Sequence, residues 1–192
     1  ALGYHQKALQ VFEHLQAREH IAATLDRLGL TSLLRGDLTA SVGYYDRAIT
    51  LFREQDNRMS LGASLTGRGL ARGGPGVNQT LPATAAPGDA CRDLNEALQI
   101  ARQIHSLSSE AWALWSLCLV NIGQGKFGDA LSCIRNALEI ASSIGHLEWI
   151  AGGHSILGEL YTEILAPEAA QPHLDQALIL SQKLRSHHWF HH

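Results

Sequence analysis

Residues 109–141 read SEAWALWSLCLVNIGQGKFGDALSCIRNALEIA, and this stretch decides the fold. Two apolar runs flank the turn Gly123-Gln124-Gly125-Lys126. The first, Ala111 to Val120, is apolar on nearly every side, whereas the second, Ala130 to Leu138, carries its apolar residues at a period of 3.6. One helix of the pair is therefore expected inside and the other outside.

The same unit recurs along the chain. Small residues fall at Ala8, Ala48, Ala97, Ala137 and Ala177, at intervals of 40, 49, 40 and 40. Seven positions before each lies another small residue, Ala1, Ser41, Ala90, Ala130 and Ala170. Three before each lies a bulkier one, His5, Tyr45, Leu94, Ile134 and Leu174. Small side chains two turns apart let a neighbouring helix approach closely, while the residue between them fills the gap. The matching first helices carry Leu28-Gly29, Arg68-Gly69, Leu117-Cys118 and Leu157-Gly158. Glycine costs a helix about 1 kcal/mol, which close helix contact can offset.

The pattern predicts helices over Leu2–Ala17, His20–Arg35, Leu38–Glu54, Asn57–Ala71, Asp89–Ile104, Ser108–Ile122, Phe127–Ser143, Leu147–Ile164 and Pro167–Leu184. Asp37, and Asp56 or Asn57, are candidate caps, and Pro167 suits a first helical turn. Arg72 to Gly88 is too rich in Gly and Pro for a helix and reads as a long, mobile loop, either a binding lid or a tolerated insertion. An all-α solenoid of antiparallel helix pairs, spanning residues 1–192 as one domain, follows. The chain begins without Met inside a helical pattern, so a piece of a longer protein is expected.

Leu25, Leu28-Gly29, Ser41, Tyr45 and Ala48 in one unit, with Leu157-Gly158, Tyr161, Ala170, Leu174 and Ala177 in another, resemble the tetratricopeptide repeat family. The tyrosine of that family's first helix is kept at Tyr161 but is Ser32, Arg72 and Asn121 elsewhere, and the 40-residue period is longer than usual. The resemblance is to the long-repeat variety of bacterial signalling and transcription regulators. It implies a right-handed superhelix whose first helices line a concave face. Carried onto this chain, that face comprises Ala23, Asp26, Leu30, Leu33 and Leu34; Ala63, Thr66 and Leu70; Trp112, Trp115, Leu119 and Ile122; and Gly152, Ser155, Glu159, Thr162 and Glu163. Trp112 and Trp115, three apart on one helix face, are either recognition anchors or core. The partner-binding candidates are Trp112, Trp115, Leu119, Asp26, Leu30, Leu33, Arg72 and Glu159.

Charge and chemistry narrow the function classes. A net charge of −3 without a basic cluster argues against nucleic acid and anionic membranes as partners. Cys91, Cys118 and Cys133 are odd in number and lack metal-site spacing, which fits thiols of a reducing, cytoplasmic protein. Of the 11 histidines, His5, His14, His20, His105, His146, His154 and His173 are dispersed. His154 replaces the framework leucines Leu25, Leu65 and Leu114, and the terminal His187/His191 and His188/His192 pairs have a spacing that could capture a metal on a helix. Gly73-Gly74-Pro75-Gly76 lacks the Lys-Ser/Thr of a phosphate loop. We expect no catalytic residue, no metal and no cofactor. The expected function is a scaffold binding a protein or peptide; the alternatives are a small-ligand sensor serving an effector domain, and self-association through Trp112/Trp115 or an exposed terminal helix.

Overall fold

A computed structural model describes residues 2–73 and 87–189 of the chain. These form nine α-helices and no strand: α1 Leu2–His14, α2 Arg18–Leu34, α3 Leu38–Glu54, α4 Arg58–Gly73, α5 Pro87–Gln103, α6 Leu107–Gly123, α7 Phe127–Ser143, α8 Leu147–Glu163 and α9 Pro167–Trp189. Every expected helix is present. Helical structure runs two residues into the expected loop from each side, through Arg72-Gly73 and from Pro87-Gly88. The rest of that loop, with the expected lid, and the end of the terminal histidine run lie outside the described residues.

Seven of the helix junctions share one turn. A left-handed residue stands at Gln16, Gly36, Asp56, His105, Gly125, Gly145 and Leu165, repeating every 20 residues except across α4 and α5. In each turn the next amide donates to the carbonyl five residues back, at 2.8–3.0 Å, as in Asp37 to Ser32 and Ala166 to Tyr161. This Schellman closure satisfies carbonyls that the helix end would otherwise leave unpaired. The following helix opens on a side-chain cap at Asp37, Asn57, Ser106 and, unexpectedly, His146, whose Nδ1 accepts from the Trp149 amide at 3.3 Å.

Each helix packs on the next, most extensively within the pairs α2/α3, α4/α5, α6/α7 and α8/α9. The framework residues Ala48, Ala97, Ala137 and Ala177 are buried, as are Ser41, Ala90, Ala130 and Ala170. In three of these repeats the bulky neighbour locks onto a glycine of the first helix. A β-carbon on Gly29 would lie 2.9 Å from the Tyr45 ring, one on Gly69 2.6 Å from Leu94 Cγ, and one on Gly158 2.4 Å from Leu174 Cδ2. The glycines are therefore sockets, and the spaced small residues flank the knobs that fill them.

A second registered pair, one residue before each knob, differs from repeat to repeat. Arg72 of α4 pairs with Asp93 of α5 at 2.9 Å, Asn121 of α6 donates to Cys133 Sγ of α7 at 3.9 Å, and Tyr161 of α8 stacks on His173 of α9 with centroids 5.6 Å apart. The same geometric slot thus holds an ion pair, a weak hydrogen bond and a ring stack.

The array curves toward its first helices. Besides their sequence neighbours, α2 touches α4 and α4 touches α6, whereas no second helix packs comparably on another among the described residues. The first helices form the inner side.

Candidate functional site

The inner side bears a hollow of about 210 Å3 lined by Leu70 of α4, Trp112, Trp115, Ser116 and Leu119 of α6, and Trp149 of α8. All three tryptophans are half-buried. Trp115 reaches toward α8, where a β-carbon on Gly152 would lie 2.5 Å from the far edge of its indole. Trp112 shares a narrow gap with Met59 and Ala63 of α4. Each indole is thus partly a spacer between first helices and partly a wall of the hollow. Ser116 donates its hydroxyl to the Trp112 carbonyl at 2.8 Å, so it adds little free polarity. Among the described residues no charged side chain lines the hollow. It suits an apolar or aromatic side chain.

Of the expected binding residues, Trp112, Trp115 and Leu119 come together here; the others do not. Leu30 on α2 is exposed and Leu33 half-buried, away from the hollow. Asp26 is half-buried and accepts from Ser64 Oγ of α4 at 2.6 Å, a bond that ties two first helices. Burial raises its pKa, with the Ser64 bond opposing. Glu159 accepts from Ser155 at 3.4 Å on its own helix. Arg72 turns to the second helices, with Asp93 at 2.9 Å and Asp46 at 3.6 Å, because Arg68 and Arg72 follow one another by a turn on the face of α4 that meets α3 and α5. Thr66, also expected on the concave face, is buried and donates to the Gly62 carbonyl at 2.9 Å.

Trp149 was not among the expected residues. It stacks on its own helix cap, His146, with centroids 4.4 Å apart, which fixes the indole at the mouth of the hollow. The available signal was Gly152: a position without a side chain, one turn after Trp149 and one 40-residue step after Trp112, leaves room that neighbouring aromatics fill.

A larger cleft of about 320 Å3 lies by α3 and α5, lined among others by Arg53, Arg58, Glu96 and Gln103. Both of its arginines are already engaged, Arg53 with Glu96 at 2.7 Å and Arg58 with the Gln103 side-chain carbonyl. It is therefore less suited to recognition than the inner hollow.

The titratable groups elsewhere are organised as structural contacts. Arg68 donates to both oxygens of Asp93 at 2.9 and 2.7 Å and to Asp46 at 2.7 Å, linking α3, α4 and α5. His154 of α8 and His173 of α9 share a hydrogen bond between their Nδ1 atoms at 2.9 Å, and Arg135 of α7 donates to the Tyr161 hydroxyl beside them. Burial lowers the pKa of His154, helped by His173; burial and then Arg135 lower that of His173. Burial pushes the Cys118 thiol up to about 12 and raises Cys133 as well, so both are thiols rather than nucleophilic thiolates near neutral pH. Among the described residues no group of three or more His, Cys, Asp or Glu side chains is placed to hold a metal ion, and no helix is long and apolar enough to cross a membrane.

Comparison with protein-family models and with curated proteins gives no match.

Proposed function

We propose that this chain is a non-catalytic recognition module, similar to a long tetratricopeptide repeat array, that binds a segment of another protein along its inner side. The supporting observation is the uncharged hollow of about 210 Å3 walled by Trp112, Trp115, Leu119 and Trp149, where one apolar side chain of a partner would anchor. Three cysteines without disulfides fit a cytoplasmic setting.

Selection of peptides from a display library on the immobilised chain tests the reading. Selected peptides should carry a recurrent aromatic or large aliphatic residue. Trp149→Ala and Leu119→Gln should each weaken them by about tenfold or more, the effect of losing one buried apolar contact, with the helical circular dichroism intact. Peptides that bind both variants as tightly as the parent chain would remove the hollow from the account.

A further inference from the structure

The inner side carries a half-buried carboxylate to which the array offers no cation. Gly152 of α8 faces the Trp115 indole. Seven residues on, two turns of helix bring Glu159 to within about 20° of the same direction and about 10 Å further along the axis. Its counterpart one 40-residue step earlier, on α6, is Leu119, a wall of the hollow. Glu159 therefore stands at the Leu119 end of the hollow.

The other half-buried carboxylates of the first helices are held within the array. Asp26 accepts from Ser64 of α4 at 2.6 Å, and Glu110 pairs with Arg102 of α5 at 2.7 Å. Glu159 accepts from the Ser155 hydroxyl of its own helix at 3.4 Å. The helices around it have no cation to give. α6 and α8 contain neither Lys nor Arg, while on α4 Arg68 and Arg72 are engaged with Asp46 and Asp93, and Arg58 with Gln103. Glu148 and Glu163, exposed on the same helix as Glu159, add to the negative field of a chain whose net charge is −3.

We propose that the segment bound in the hollow is basic: within about three residues of its apolar anchor, in extended form, it carries an arginine or lysine that pairs with Glu159. This rests on the recognition reading above and names the charge of the partner. A neutral or acidic segment laid over Glu159 would strip water from the carboxylate and return no partner for it, which penalises such a segment. Residues 74–86 of this chain contain neither Lys nor Arg, so they do not supply the cation.

Random-peptide display on the immobilised full chain tests this, with the selected peptides measured by fluorescence polarisation. Lys or Arg should recur within about three residues of the apolar anchor. Glu159→Gln, close in shape, should weaken these peptides about tenfold, and salt raised from about 50 to about 500 mM should weaken them on the parent chain. Glu139→Gln removes the same charge from the outer helix α7 and should leave binding unchanged. Both variants should keep the helical circular dichroism. Selection on Glu159→Arg should return the same anchor with Asp or Glu in place of the cation. Peptides that share an anchor and lose affinity with Trp149→Ala, yet carry no recurrent cation or ignore Glu159→Gln, would overturn this inference and leave the hollow as a recognition site. Peptides without a common anchor, or no binders at all, would remove both. A dimer of the chain that Glu159→Arg dissociates would also overturn it, since a second copy would then be the occupant.

Discussion

Tyr45 occupies the space that a side chain on Gly67 would need: a β-carbon there would sit 2.3 Å from Cζ of the tyrosine. Because Tyr45 is also pressed against Gly29 of α2, its ring cannot retreat. Gly67→Ala is therefore expected to destabilise the fold by about 1–3 kcal/mol despite alanine's better helix propensity. Gly43→Ala, in α3 with nothing within 4 Å of the new atom, should stabilise it by about 0.5–1 kcal/mol. Urea unfolding of the two variants measures both, and equal signs would contradict the socket assignment.

Leu165 makes the turn between α8 and α9 at φ 58°, a conformation that costs a branched side chain, and its own side chain is 88% exposed. Nothing in packing compensates. Leu165→Gly should raise stability by about 1 kcal/mol, seen as a higher thermal midpoint. The same change at Gly125 in reverse, Gly125→Leu, should lower it, since φ there is 71°.

The ion cluster makes an asymmetric prediction. Asp93 is 5% exposed and holds Arg68, itself 13% exposed, by two hydrogen bonds, so Asp93→Ala leaves a largely buried guanidinium short of partners. A loss of about 3 kcal/mol is expected. Asp46 is 47% exposed, and Asp46→Ala should cost less than about 1 kcal/mol. Replacing Arg68 and Asp93 together by leucine should cost less than the sum of Arg68→Leu and Asp93→Leu, which a double-mutant cycle would read directly, while the loss of the Arg72–Asp93 pair persists in both variants that lack Asp93.

His154 and His173 give the α8/α9 seam a pH dependence. Both have folded pKa values below the ordinary 6.5, so the unfolded chain binds more protons and stability falls as acid is added. The contribution is complete above pH 6.5 and is lost as pH drops through the lower folded values, where two protonated rings would face each other across 2.9 Å. His173→Gln should flatten this part of the stability profile between pH 7 and acid, while Tyr161→Phe keeps it; chemical unfolding across that range checks the difference.

Most of the fold was legible because its signals are local and repeated. The 40-residue ladder placed every helix, and three of the bulky residues three before each alanine, Tyr45, Leu94 and Leu174, proved to be the knobs seated on Gly29, Gly69 and Gly158. The turns were half legible. Gly36, Gly125 and Gly145 announce left-handed residues, Asp56 and His105 do so only weakly, and Gln16 and Leu165 adopt the same conformation without any residue preference to reveal it. Side-chain direction was the weaker inference. Arg72 and Leu70 are two residues apart on α4, yet one meets the second helices and the other the inner hollow, a division set by helix rotation rather than by residue type. Trp149 escaped because it stands a turn before the inner stripe, yet it lines the hollow while stacking on His146.

The junction between α4 and α5 is longer than the others, yet Leu94 seats on Gly69 as Tyr45 seats on Gly29, so mutual fit rather than chain connectivity sets the alignment there. Severed between Gly73 and Pro87, the two pieces should reassemble on mixing into one complex with the parent's spectrum. The protein is, in that sense, already two complementary parts.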